Sequence, residues 1–227
     1  MTIAANLARI REEIAAAASL AGRDPAGVRL VAVSKTKPAA AVEEAARAGQ
    51  MLFGENYVQE FVAKAGQVHE PVEWHFIGHL QSNKVRQLAG LVTMIHSVDR
   101  LSLAQEIDRQ WAKLGRPCDI LMEVNLAGET TKSGTTAREL TELVRQVAQL
   151  PFVRVRGLMT MPPFFDDPEA ARPYFRQLRE LAAELAALAI PGVAMAELSM
   201  GMSGDFAVAI QEGATLVRIG TALFGGR

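Results

Sequence analysis

The chain has 227 residues, 49% of them hydrophobic, and a formal net charge of -1. That length suffices for one large domain or two small ones, and that hydrophobic content for a sizeable core. A near-neutral balance without a basic tract excludes an electrostatic nucleic-acid binder, and the lone Cys118 excludes an internal disulfide and fits a reducing compartment.

The amino terminus reads as an amphipathic helix, with Ile3, Leu7, Ile10, Ile14 and Ala17 or Ala18 on one face. Arg9, Arg11, Glu12 and Glu13 interrupt the apolar core that a signal peptide needs, and no apolar run approaches membrane-spanning length. A soluble, cytoplasmic protein is expected. Beyond this helix, strand-like and helix-period segments alternate to the end. Strands are expected at Val28–Ser34, Met51–Phe53, Trp74–Ile77, Met94–Ser97, Asp119–Asn125, Val155–Met161, Ala196–Met200 and Leu216–Ile219. Helices are expected at Ala39–Ala48, Glu55–Gln67, Asn83–Leu91, Leu101–Leu114, Ala137–Gln149, Pro168–Leu188 and Gly204–Glu212. Pro168 is a good helix start, and Gly49, Gly115 and Gly213 are good stops. This alternation without a long linker predicts an α/β protein, a single (β/α)8 TIM barrel over residues 1–227 with an extra N-terminal helix. An open doubly wound sheet has the same periodicity and stays open as an alternative.

In a barrel, the loops after the strands build the site. Val31, Val33 and Lys35 share one face of an extended segment, so Lys35 continues an apolar face at the carboxyl end of the first strand. Desolvation and neighbouring cations lower a lysine's pKa there and leave a nucleophilic amine, as a Schiff base with an aldehyde requires. The plainer alternative is a lysine leading a loop into solvent. Two later segments, Ser199 to Asp205 and Arg218 to Thr221, are rich in small and hydroxyl residues. They fall after strands seven and eight, the recurring phosphate position of this fold. Ser203, Gly204, Gly220 and Thr221 are the candidates for that cradle, against an ordinary helix cap and turn. Arg218 shares a strand face with Leu216 and Gly220, and points into the barrel if Val217 and Ile219 meet the helices. It then sits at a ligand or in an ion pair with Glu123 or Glu197. His75 and His79 straddle a strand end and do not form a zinc-binding helix pair, and Trp74 and Trp111 read as packing residues.

The segments AVSKTKP, FGENYVQE, WHFIGHLQSNK, HSVDR, EVNLAGETTKSG, GLMTM and ELSMGMSGDFAVAIQEGATLVRIGTALFG, in this order from about Leu30 onward, resemble the YggS/PROSC family of pyridoxal phosphate homeostasis proteins. The resemblance implies a barrel similar to that of alanine racemase, carrying pyridoxal 5′-phosphate (PLP) as an internal aldimine on Lys35. It implies that Asn56 and the GLMTM methionines, Met159 among them, surround the cofactor. Ser199, Ser203, Gly204, Gly220 and Thr221 belong to the phosphate-holding segments, and Arg218 faces the pyridine nitrogen.

The implied role is intracellular PLP homeostasis, with supply to apo-forms of PLP-dependent enzymes, rather than a catalytic cycle. Racemisation needs an acid–base group on each face of the cofactor plane. Barrel racemases draw the second from an extra β domain, which is not expected in this chain, and Tyr57 and Tyr174 are poor substitutes. The missing dimer contact points to a monomer. A single-domain PLP-dependent racemase or decarboxylase is the alternative, and an interaction module with a vestigial pocket is a third. Lys132, in the GETTKSG segment, is considered as a transient second aldehyde acceptor against a solvated loop lysine.

Overall fold

The computed structural model describes residues 2–129 and 133–226. The elements run α1 (Ile3–Leu20), β1 (Arg29–Val33), α2 (Ala39–Arg47), β2 (Leu52–Glu55), α3 (Val58–Ala65), β3 (Glu73–Phe76), α4 (Val85–Leu88), β4 (Met94–Val98) and α5 (Leu101–Ala112). They continue with β5 (Cys118–Glu123), α6 (Ala137–Val147), β6 (Val153–Met159), α7 (Arg172–Ala187), β7 (Val193–Ser199), α8 (Phe206–Gln211), β8 (Leu216–Ile219) and α9 (Thr221–Phe224). The strands pair in parallel and in sequence order, and β8 returns to β1 through Leu30↔Val217 and Ala32↔Ile219. That closure makes the sheet a barrel and removes the open-sheet alternative.

Strand alternation sorts the core into two compartments. Val31, Leu52, Met94, Leu121, Met159 and Leu216 fill the barrel interior as one small cluster. Their neighbours on the opposite face, such as Ala32, Phe53, Ile95, Ile120, Leu158, Val217 and Ile219, join the larger core under the helices. Val217 and Ile219 therefore meet the helices, and the face of Leu216 and Arg218 looks inward.

Helix α1 buries Leu7, Ile10, Ile14, Ala17 and Ala18, and packs on α8 and α9. The three large aliphatic side chains supply about 9 kcal/mol at most. Asn6 Nδ2 donates to Leu223 O at 2.9 Å and Arg23 Nη1 to Ile210 O at 2.6 Å, so the first helix and the turn after it fasten the last two helices. No helix among the described residues is long and apolar enough to cross a membrane.

Most element boundaries shift by one to three residues from the sequence expectation, β7 starting at Val193 instead of Ala196 among them, and three of the differences have a clear local reason. The helix expected from Glu55 starts at Val58, because Gly54 and Glu55 continue β2 and are buried there. The helix expected at Pro168–Leu188 divides into a 3-10 turn, Pro168–Ala171, and α7. Pro173 lacks an N–H and its ring would strike the carbonyl of Glu169 in a continuous α-helix. The helix expected at Asn83–Leu91 keeps one α turn after a 3-10 turn and stops before Gly90, whose φ is +85°. Gly157 marks the bulge where β6 shifts register against both neighbours. A Cβ there would collide with the backbone of Glu197.

Candidate functional site

The carboxyl ends of β1, β2, β7 and β8 enclose a cavity of about 340 Å³. Lys35, Asn56, Ser203, Gly204, Arg218, Gly220 and Thr221 line it, with Met161, Phe164 and Phe165 at the rim. A second lobe of about 260 Å³ shares Asn56, Ile77, Met161 and Arg218, and adds His79, Glu123, Asn125 and Met159.

The lysine wall is built from a buried ionic cluster. Lys64, on α3 and 5% exposed, donates to Ser34 O at 2.6 Å, Glu55 Oε1 at 2.7 Å and Glu60 Oε1 at 2.8 Å. Ser34 Oγ donates to Glu55 Oε1 at 2.7 Å, and the Thr36 amide to Glu60 Oε1 at 2.6 Å. Burial pushes the Glu55 carboxyl up, opposed by its bonds from Lys64 and Ser34. The cluster thus grips the backbone on both sides of Lys35. That grip holds Thr36 at a φ of +64°, a left-handed conformation costing a threonine about 1–2 kcal/mol. Lys35 itself is partly buried and follows Val33 at the cavity wall.

The opposite wall is made of loops. Between β7 and α8, the Met202 amide donates to Asp205 Oδ1 at 2.6 Å, and the Asp205 and Phe206 amides return to Met202 O at 3.1 and 2.9 Å. This closed turn presents Ser203 and Gly204 to the cavity, where a Cβ on Gly204 would meet nothing within 4 Å. Gly220 and Thr221 face them. A Cβ at Gly220 would sit 3.1 Å from Val33 O, a tight approach that glycine avoids where the end of β8 passes β1. Helices α8 and α9 have six and four residues, so the wall offers loop amides and hydroxyls rather than a long helix dipole.

Arg218 forms the floor. It is 6% exposed and donates through Nη1 to Ser199 Oγ at 2.6 Å and through Nη2 to Thr160 O at 2.9 Å. Burial lowers its pKa to about 10, against the pull of Asp205 and Glu123. Neither acid alternative named from the sequence bonds it. Glu197 pairs instead with Arg29 at 2.7 Å, and Glu123 acts on Arg218 only through its field. Glu123 is buried, and burial with the nearby Asp99 raises its carboxyl to about 7. Its Oε2 and the Oδ1 of Asn56 are buried without a hydrogen-bond partner. Gly78 allows Asn56 this position, since a Cβ there would overlap the Asn56 backbone.

The structure therefore gathers Lys35, Asn56, Ser203, Gly204, Arg218, Gly220 and Thr221 at one cavity, and sets two candidates apart. Ser199 is fully buried beneath it, its hydroxyl taken by Arg218 and by His96 at 2.9 Å, so it supports the floor instead of lining the phosphate loops. Met159 belongs to the interior cluster and reaches only the second lobe. His75 lies in β3, while His79 sits in the following loop against Ser133 Oγ at 2.8 Å. Lys132 lies outside the described residues. Sequence reasoning placed Glu55 at a strand end and favoured a core or supporting role for His75, but missed Lys64 and Glu60 behind the lysine wall and His96 under the floor. The signals were present: Val58, Phe61 and Lys64 recur at helix spacing, and His96 alternates with the inward-facing Met94.

Comparison with known proteins adds four findings. The model of the alanine racemase N-terminal domain family matches residues 5–227. The pyridoxal phosphate homeostasis protein of Aquifex aeolicus is 48% identical over 228 residues, covering 100% of this chain and 99% of its own. PipY of Synechococcus elongatus, in a structure with PLP bound, has a TM-score of 0.86 and 41% identity, over 99% of this chain and 100% of its own. Alanine racemase of Clostridium difficile has a TM-score of 0.74 at 13% identity, covering 100% of this chain and 57% of its own, a likeness of fold alone.

Proposed function

The chain belongs to the family of pyridoxal phosphate homeostasis proteins, and from that premise we propose that it binds PLP at Lys35 and serves its homeostasis and supply inside the cell. The observation that carries this reading is the common cavity of one lysine, one buried arginine and two amide-rich loops. PLP carries an aldehyde, a phosphate and a polar aromatic ring, and the wall residues match these groups. Ser203, Gly204, Gly220 and Thr221 would take the phosphate, and Asn56, with its unpartnered buried Oδ1, the ring's polar edge. Lys35 would meet the aldehyde and Arg218 the ring nitrogen. When bound, PLP supplies an electrophilic aldehyde that condenses with an amine.

The residues around it favour holding over turnover. Arg218 has only hydrogen-bond donors, and its charge disfavours a proton on a neighbouring ring nitrogen, so the ring would withdraw electrons weakly. Tyr174 stacks on Phe165 with ring centroids 5.9 Å apart and Tyr57 is half exposed at the start of α3, so neither tyrosine lines the cavity. On this reading residues 1–227 act as one cytoplasmic, monomeric PLP-binding barrel domain whose recipients are apo-forms of PLP-dependent enzymes. One observation favours the alternative of a PLP-dependent racemase or decarboxylase: Glu123, with its carboxyl near 7, is poised for proton transfer in the adjoining lobe.

The test is chemical trapping. Protein incubated with PLP, reduced with borohydride and digested is expected to carry the added mass on the peptide containing Lys35. Lys35→Ala is expected to lose it. An adduct of equal yield elsewhere in the mutant would sink the assignment of the lysine. Incubation of the loaded protein with L-amino acids separates the two readings: product at many turnovers per site would make it an enzyme.

A further inference from the structure

Beneath the floor of the cavity a file of polar side chains crosses the apolar barrel interior from one mouth to the other. Arg218 Nη1 lies 2.6 Å from Ser199 Oγ, which lies 2.9 Å from His96 Nδ1. His96 Nε2 lies 2.9 Å from His75 Nδ1, and His75 Nε2 lies 3.2 Å from Glu73 Oε1. Arg218 is 6% exposed, Ser199, His96 and His75 are fully buried, and the Glu73 side chain is 43% exposed at the amino-terminal end of β3.

Counting protons fixes the direction of every bond. A guanidinium only donates, so Ser199 Oγ accepts from Arg218 and its single proton goes to His96 Nδ1. His96 then carries its proton on Nε2 and donates to His75 Nδ1, and His75 donates from Nε2 to the Glu73 carboxylate. The reverse arrangement, a charged His75 donating to His96 and His96 donating to Ser199, leaves the serine proton buried without an acceptor. We propose that Glu73, His75, His96 and Ser199 form a one-way hydrogen-bond chain that aims Arg218 at the ligand cavity and holds it charged. A carboxylate at the far mouth thereby sets the electronic surroundings of the bound ligand. These four are positioning residues, acting through Arg218. The bonds also polarise one another in a common sense, which strengthens each. Burial and the field of Arg218 keep His96 from taking a second proton, as the chain demands. The effect on the ligand rests on the reading of Arg218 as the partner of the PLP ring nitrogen; the chain itself does not.

Two measurements test the two parts separately. In ligand-free protein, ¹⁵N NMR of the imidazoles is expected to place the His96 proton on Nε2, with His75 Nδ1 as its acceptor. Ser199→Ala is expected to release His96 to a mixture of tautomers. A proton on His96 Nδ1 in the wild type would overturn the chain. In PLP-loaded protein, Glu73→Gln keeps an acceptor for His75 but removes the charge, at a position outside the cavity. The visible absorption maximum is expected to shift, and PLP to dissociate about threefold faster, with the yield of borohydride trapping on Lys35 unchanged. His96→Leu is expected to give a larger shift and about a tenfold loss, and Glu73→Gln remains decisive if that variant fails to fold. An unaltered spectrum in Glu73→Gln would overturn the transmission of charge. Absence of a Lys35 adduct in the wild type would instead overturn the PLP reading and leave the NMR result standing.

Discussion

The two walls of the cavity are built on opposite principles. The lysine wall is over-determined: one buried ammonium, two carboxylates and a serine hold three consecutive residues, one of them strained. The loop wall has no such cluster, and its key residues, Gly204 and Thr221, are exposed. An amine that must meet an aldehyde at bonding distance needs a fixed backbone. A phosphate is accommodated by several amides and hydroxyls, any of which adjusts by a fraction of an ångström. The difference shows where this fold places rigidity and where it leaves room for exchange, which fits the proposed supply role.

The strongest way to break that contrast is Lys64→Met. It strands Glu55, whose side chain is 1% exposed, and is expected to cost about 3–5 kcal/mol in urea unfolding. PLP attachment should fall in parallel. A cost below about 1 kcal/mol would mean that the ionic cluster does not hold the wall. Glu123, between the walls, gives the next largest effect. Its carboxyl is raised from 4.5 to about 7, so the folded state binds its proton more tightly than the unfolded state. Stability tied to Glu123 is therefore present below about pH 4.5 and is lost as pH rises through 7, a span worth about 3 kcal/mol. Glu123→Gln should flatten that part of the pH–stability curve and stabilise the protein at pH 8.

On the loop wall, Ser203→Ala combined with Thr221→Ala should leave unfolding within about 0.5 kcal/mol of the parent. It should weaken PLP retention about tenfold, and equilibrium dialysis would measure this. A stability loss as large as that of Lys64→Met would erase the distinction between the walls. Thr36→Gly should change least. Relief of the left-handed threonine offsets the greater freedom of glycine in the unfolded chain, for a net change under about 1 kcal/mol.

What the sequence made legible follows the same division. Strand alternation gave each of Lys35 and Arg218 a face but not the direction of that face, which the closed barrel with Val217 and Ile219 under the helices supplies. Ser203, Gly204, Gly220 and Thr221 were legible as loops after strands, since small residues there have a backbone purpose. Lys64 was not, because a lysine on a helix ordinarily lies in water, and only the docking of α3 over Ser34 reveals its burial. The helix boundary at Glu55 failed for the same reason: a glutamate is a poor signal for a strand end unless its buried partner is known. His75 and His96 could be placed on inward faces one strand at a time. Their contact with each other and with Ser199 requires the barrel to close, a global condition that no local pattern contains.

The pairing of β1 with β8 has a consequence for synthesis. Lys35 emerges early, yet the loop wall it faces is encoded after β7 and completed only after β8, at Gly220 and Thr221. At about 5–20 residues per second, the nascent lysine waits on the order of ten seconds or more before its opposite wall exists. Until β8 has left the ribosome and docked, the chain offers an amine but an incomplete cradle for an anion. On the proposed reading, competence to bind therefore waits for β8 and the residues that follow it, and a fragment released before them is expected to capture no cofactor.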